Sequence, residues 1–200
     1  MFRTDKWFKV GWAYFFLMFV LEAILPEWMG DENGVIENLQ MLWLSGGLYY
    51  CYRMRGAEPN EVCASPSKLW TAGVIYYFLL FMREISWGRV FFLDAHGSMI
   101  QYSQMGLYGK LVHPMVAVLV IIALVFVVQA KIWRAIKAVK LPVKSFVLLL
   151  LFIFMSWVGE RTNFVGFCGQ VAEELAEFGA YMMMFVLTRD IGKRLHASKK

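Results

Sequence analysis

Charged residues are scarce in this chain. Asp, Glu, Lys and Arg make up 18% of its 200 residues, whereas soluble domains carry about 25%. Hydrophobic residues reach 60%, and the mean hydropathy is +0.54. A soluble domain of this size could not bury so much apolar surface, which excludes a soluble enzyme and a disordered chain. Cysteine is also scarce: three scattered cysteines provide neither a disulfide framework nor a Cys-x-x-Cys metal motif, which excludes a disulfide-stapled secreted module.

Six mostly apolar segments approach the length of about 20 residues that a spanning helix needs. The predicted spans are 7–25, 35–52, 69–91, 112–130, 145–161 and 165–188. No cleavage-site pattern follows the first segment, so we interpret it as an anchor and not as a signal peptide. The sequence therefore predicts an all-α membrane protein, a six-transmembrane-helix bundle that forms a single domain over residues 1–200.

The basic residues follow every second connection between these spans. Lys and Arg concentrate in the N-terminal segment, the second and fourth loops and the C-terminal tail, whereas the first loop carries only acids. The positive-inside rule then predicts that both termini lie in the cytoplasm. This topology explains the net charge of +5, and we expect no nucleic-acid partner.

Ionisable residues within the spans gather in the half that this topology places outside. A charged side chain near the bilayer centre costs about 2.5–3.5 kcal/mol, so such residues usually face the bundle interior or a wet cavity. We expect a water-accessible pocket that opens to the periplasm between spans two, three, five and six. The candidate ligand-binding or ion-binding residues are Glu37, Arg83, Glu84, Arg89, Glu160, Arg161, Gln170, Glu173, Glu174 and Glu177, and His113 is a candidate metal ligand.

The sixth span carries the most regular polar pattern. Its residues at i, i+3, i+4, i+7 and i+11 should fall on one stripe of a helix. At 1.5 Å per residue, Glu177 would lie roughly 13 Å inside a span that enters the membrane near Cys168. The stripe consists of Gln170, Glu173, Glu174, Glu177 and Tyr181.

Three short motifs resemble those of an uncharacterised family of bacterial polytopic inner-membrane proteins. The motifs are REISWGR at 83–89, which matches an R/E-E-I/L-S-W-G pattern, the acidic start of the second span at 35–37, and Q-x-x-E-E-x-x-E at 170–177. The resemblance covers spans two to six. It implies a multi-pass protein of the bacterial inner membrane, and it implies no established activity.

Three functions fit this pattern. The first is a carrier, in which Glu173 and Glu177 would bind a cation or proton and Arg83 would tune the pKa of these two carboxylates. The second is a membrane-embedded enzyme that acts on lipid head groups. Carboxylates and His113 would hold a divalent metal, which would activate a water molecule. The chain has no nucleophile motif, so whether it is an enzyme stays open, and the cofactor is unknown, with a divalent metal as one candidate. The third is an accessory or scaffold subunit whose ion pairs fasten the bundle, a second copy or a partner membrane protein. The lipid bilayer is the partner in all three.

Overall fold

The computed structural model describes residues 4–31, 34–59, 63, 65–92, 99–138, 142–161 and 167–197. Within these residues the chain forms helices and no strand, so the all-α prediction is confirmed. Three short 3-10 turns cover Glu27–Met29, Ser86–Phe91 and Tyr102–Met105. The α-helices are α1 Thr4–Ile24, α2 Val35–Met54, α3 Pro66–Glu84, α4 Gly106–Gln129, α5 Ile132–Ala138, α6 Val143–Arg161 and α7 Gly169–Ala197.

Each of the six predicted spans coincides with one of the long helices, but their bounds differ. Helix α3 ends at Glu84, seven residues before the end of the third predicted span. The first residues of the sixth predicted span, 165–166, lie outside the described residues. A search of the described residues finds three helical segments that are long and apolar enough to cross a membrane: Lys6–Ile24, Tyr102–Gln129 and Val143–Arg161. The total of six spans and the sides of the termini stay predictions.

The chain divides into two compact units. The first comprises Met1–Trp43 and Val139–Ala197, and its core forms where α1 and α6 pack against α7. Helix α6 allows close packing because Gly159 has no side chain: a Cβ there would lie 2.9 Å from the backbone nitrogen of Glu173. Small residues at such crossings let helix backbones approach each other. The approach brings the end of α6 against the acidic segment of α7.

The second unit comprises Leu44–Ala138, in which α3 packs against α4. Helix α3 starts with Pro66 at its first position, where proline is well tolerated because the missing N–H would have no helical partner. Over residues 115–128 helix α4 is apolar on all sides, yet only 6% of its most apolar window is buried. An apolar helix that is this exposed is stable in a lipid environment or against a partner, and not in water.

Candidate functional site

The acidic stripe predicted for the sixth span lies on α7, in the first unit. The helix carries these side chains from an exposed position at its start to a buried position three turns later. Gln170 is exposed, Glu173, Glu174 and Glu177 are half-buried, and Tyr181 is buried. The carboxylates are therefore partly withdrawn from solvent, and their charges interact more strongly than at an open surface.

Gln40 on α2 forms hydrogen bonds to this stripe, and it is fully buried. Its side-chain Nε2 donates one hydrogen bond to Oε2 of Glu174 at 2.6 Å and another to the backbone oxygen of Glu174 at 2.9 Å. The opposite amide orientation would place Oε1 against a carboxylate oxygen, so the chemistry supports this assignment. Oε1 of Gln40 has no hydrogen-bond partner within the described parts of the chain. An unsatisfied buried acceptor costs about 1–3 kcal/mol, which makes Oε1 a natural ligand for a proton donor or a cation.

Glu174 and Glu177 lie next to each other on α7. A carboxylate oxygen of one lies within 4.8 Å of a carboxylate oxygen of the other. Two full negative charges at that separation repel each other by about 3.5 kcal/mol at an effective dielectric constant of about 20. The Ser156 hydroxyl on α6 donates a long hydrogen bond, 3.5 Å, to Oε1 of Glu177. The group thus offers oxygen atoms only, which suits a proton or a hard cation such as Mg²⁺, Mn²⁺ or Ca²⁺.

Helix α1 fixes the backbone of α7 beside these acids. The Tyr14 hydroxyl donates a 2.8 Å hydrogen bond to the backbone oxygen of Leu175, one residue after Glu174. Together with the Gln40 bonds, this contact means that α1, α2 and α6 all meet the same segment of α7. The sequence analysis did not select Gln40, Tyr14 or Ser156 as site residues, although polar groups inside apolar segments were a signal for each.

The remaining predicted residues of the first unit lie at helix ends. Glu37 is half-buried in the first turn of α2. Glu160 and Arg161 are exposed at the end of α6, where they form an ion pair with an N–O distance of 3.7 Å. The Arg161 guanidinium also lies 5.7 Å from the ring centre of Trp157. These contacts are those of a solvated helix end.

In the second unit, α3 ends in a strained turn. Ser86, Trp87 and Gly88 follow one another with φ values of 44°, 54° and 84°. The left-handed region is unfavourable for Ser and Trp, at roughly 1–3 kcal/mol for each residue. Because α3 ends before Trp87, Arg83 and Trp87 are not i, i+4 neighbours on one helix, as a third span reaching 91 would have required.

Contacts from the 3-10 turn before α4 and from the first turn of α4 hold this turn. The hydroxyls of Tyr102 and Tyr108 donate hydrogen bonds to the backbone oxygens of Ser86 and Trp87, at 3.2 Å and 2.7 Å. Nε of Arg89 donates to the backbone oxygen of Ile100 at 2.8 Å. The Arg89 guanidinium lies 4.9 Å from the ring centre of Tyr102. Arg89, predicted as a ligand-binding residue, therefore binds the protein's own backbone here.

A cavity of about 520 Å³ lies beside the turn. Arg83 and His113 provide its most polar lining, and the other lining residues are Ser86, Trp87, Tyr102, Val112, Val116 and Ala117. The Arg83 side chain is 58% exposed, and its Nε lies 3.8 Å from Oε1 of the buried Glu84. The described lining contains no carboxylate. The groups of the described lining that can carry a positive charge are thus a guanidinium and an imidazole, and the metal ion expected at His113 stays a prediction.

Comparisons with known proteins provide no function for either site. No protein-family model, no curated protein and no solved structure matches this chain. The resemblance to a family of inner-membrane proteins stays a prediction, as does the expectation that charged groups of the third and sixth spans share one pocket. Over the residues that it describes, the structure is helical, and three of the helices there are long and apolar enough to cross a membrane.

Proposed function

We propose that this chain is a multi-pass protein of the bacterial inner membrane that binds a cation or proton at the acidic segment of α7. It has six spans, and both termini lie in the cytoplasm. The exposed apolar surface of α4 supports the membrane placement, and the alternation of basic loops supports the orientation.

The pairing of Glu174 and Glu177 beside the buried Gln40 carries this proposal. Their mutual repulsion, about 3.5 kcal/mol as calculated above, is relieved when a cation lies between them or when they share a proton. The hydrogen bond from Gln40 fixes one carboxylate, so the site is organised before an ion arrives. Organised oxygen ligands bind with less loss of side-chain freedom than mobile ones.

The partial exposure of the stripe supports exchange of the ion. Gln170 at the start of α7 is exposed, and the carboxylates follow it in order along one stripe. An ion could therefore move from Gln170 through Glu173 to the inner pair without crossing an apolar layer. This gradient favours a binding or carrier function over a closed ion pair that only fastens helices.

Flux and binding measurements on the purified protein test the proposal. In proteoliposomes, pH-sensitive and cation-sensitive dyes would report uptake, and in detergent the paramagnetic resonance of Mn²⁺ would report binding. We expect Glu174→Gln and Glu177→Gln each to reduce uptake or binding at least about ten-fold, since each removes a charge that contributes about 1.5–3 kcal/mol to ion contacts.

Glu27→Gln is the matched control, because Glu27 is an exposed carboxylate of the same unit that lies outside the stripe. It should leave both readouts unchanged. If the wild-type protein shows neither flux nor binding while Glu177→Gln lowers only its thermal stability, the acids fasten the bundle and the proposal is wrong.

A further inference from the structure

The cavity of the second unit changes from polar to apolar along one helix. His113 lines it on α4, and Val116 and Ala117 line it about one turn further along the same helix. Arg83 adds a cationic group from the end of α3. Beyond Ala117, α4 continues as an exposed apolar surface that includes Val120, Ile121 and Leu124.

The polar end fits a phosphate group. A guanidinium binds two phosphate oxygens in parallel, and the Arg83 side chain is 58% exposed at the cavity wall, where a ligand can reach it. An imidazole can donate a further hydrogen bond. The volume of about 520 Å³ lies within the range of roughly 300–1,000 Å³ that is usual for small-ligand sites.

The apolar end fits a hydrocarbon chain. A candidate span of 28 residues, Tyr102–Gln129, is longer than the roughly 20 residues that cross the hydrocarbon core. If the core holds its last 20 residues, His113 lies within the first turn of the membrane. Trp87 and Tyr102 then lie where aromatic rings accumulate, at the boundary between head groups and hydrocarbon.

We propose that this cavity binds the phosphate head group of an anionic phospholipid through Arg83 and His113, with the acyl chains along α4. The inference rests on the membrane placement proposed above and not on cation binding by α7. The strained residues Ser86 and Trp87 support it, because such strain persists mainly where a functional geometry is over-determined by its surroundings. Here the hydroxyl contacts of Tyr102 and Tyr108 hold the turn that carries Trp87 into the cavity wall.

Native mass spectrometry of the detergent-purified protein, titrated with phosphatidylglycerol or phosphatidylcholine, tests the proposal. We expect the wild-type protein to bind phosphatidylglycerol at least about ten-fold more tightly than phosphatidylcholine, because the choline ammonium of the latter offsets the phosphate charge with which Arg83 would pair. Arg83→Gln should reduce that preference to within about two-fold, since Arg83 is the permanently charged side chain among the described lining residues. Ala117→Trp should lower the binding of both lipids, because the larger side chain fills the cavity and leaves the Arg83–Glu84 pair in place. If Arg83→Gln does not fold, this variant tests whether the lipids bind in the cavity.

Lys110→Gln is the matched control, because Lys110 is an exposed cation three residues before His113 that does not line the cavity. It should leave the preference unchanged. An equal loss in Lys110→Gln and Arg83→Gln would mean general electrostatic attraction and would overturn the site. Competition by inorganic phosphate as effective as that by phosphatidylglycerol at the same concentration would overturn the assignment to a lipid. The two proposals can fail separately. A variant such as Arg83→Gln that keeps wild-type flux but loses the lipid preference, or a variant such as Glu177→Gln that loses flux but keeps the preference, shows that lipid binding and cation binding are independent.

Discussion

The contact between Gln40 and Glu174 makes a quantitative prediction. Gln40→Leu removes both hydrogen bonds of Nε2, whereas Glu174→Leu removes only the carboxylate contact, because the bond to the Glu174 backbone oxygen remains. A double-mutant cycle of the two changes therefore isolates the bond to the carboxylate. Its acceptor is charged and its donor is fully buried, so we expect a coupling free energy of about 1.5–3 kcal/mol.

The single change Gln40→Leu should be milder than its two lost bonds suggest. It also removes Oε1, whose unsatisfied burial costs about 1–3 kcal/mol, and it adds an apolar side chain to a buried position. Unfolding in mixed micelles of mild and denaturing detergent, followed by tryptophan fluorescence, would measure the free energy of unfolding of all four proteins.

Lys144 provides the control for this cycle. It is exposed at the start of α6, fifteen residues before Gly159, or roughly 22 Å along the helix from the point where Gly159 packs against Glu173. A cycle of Gln40→Leu with Lys144→Gln should give a coupling below about 0.5 kcal/mol. A coupling this small between Gln40 and Glu174 would refute the reasoning, since the two side chains would then not interact.

Three further predictions concern other parts of the chain. Burial raises the pKa of the Cys63 thiol, and a backbone hydrogen bond at Ser65 offsets part of that rise, so in variants with one cysteine each Cys63 should react with iodoacetamide more slowly than the half-buried Cys168 at pH 8. Because the raised pKa favours the neutral thiol, the contribution of Cys63 to stability is present below the unfolded-state pKa of about 8.5. That contribution is lost as the pH rises through the folded-state pKa. Equal labelling rates for Cys63 and Cys168 would contradict the raised pKa of Cys63. Gly109→Ala should lower the free energy of unfolding by about 1–3 kcal/mol, because a Cβ there would overlap the backbone oxygen of Tyr102. Gly56→Ala should be close to neutral in the same assay, because a Cβ there would lie 4.0 Å from the backbone oxygen of Arg53, an ordinary contact distance. A fluorescent protein fused to the C-terminus should fluoresce in bacterial cells, and an active alkaline phosphatase fusion there would contradict the cytoplasmic placement.

The sequence predicts the helices well where apolar runs are long. The segment VKSFVLLLLFIFM has no helix-breaking residue, and it forms α6 as expected. The end of α3 could not be predicted in the same way. Ser86 and Trp87 are not residues that favour a left-handed turn, and the hydroxyls that hold them belong to residues 16 and 21 positions further along the chain.

In the candidate site, too, features within one helix could be predicted from the sequence, and contacts between residues far apart in the chain could not. Helical spacing is local, so the stripe from Gln170 to Tyr181 could be predicted on one helix. The partner of Glu174 could not, because Gln40 is 134 residues away in the sequence. A buried glutamine in an apolar segment signals that a polar partner exists, but only the packed helices identify that partner.

A map at side-chain resolution, collected from protein soaked in Mn²⁺, tests the central claim most directly. We expect the Gln40 amide against Glu174 and metal density between Glu174 and Glu177. Without metal, we expect a shared proton to draw the two carboxylates to an oxygen–oxygen distance of about 2.5–2.7 Å. Two carboxylates turned toward different surroundings, with no density between them, would contradict it.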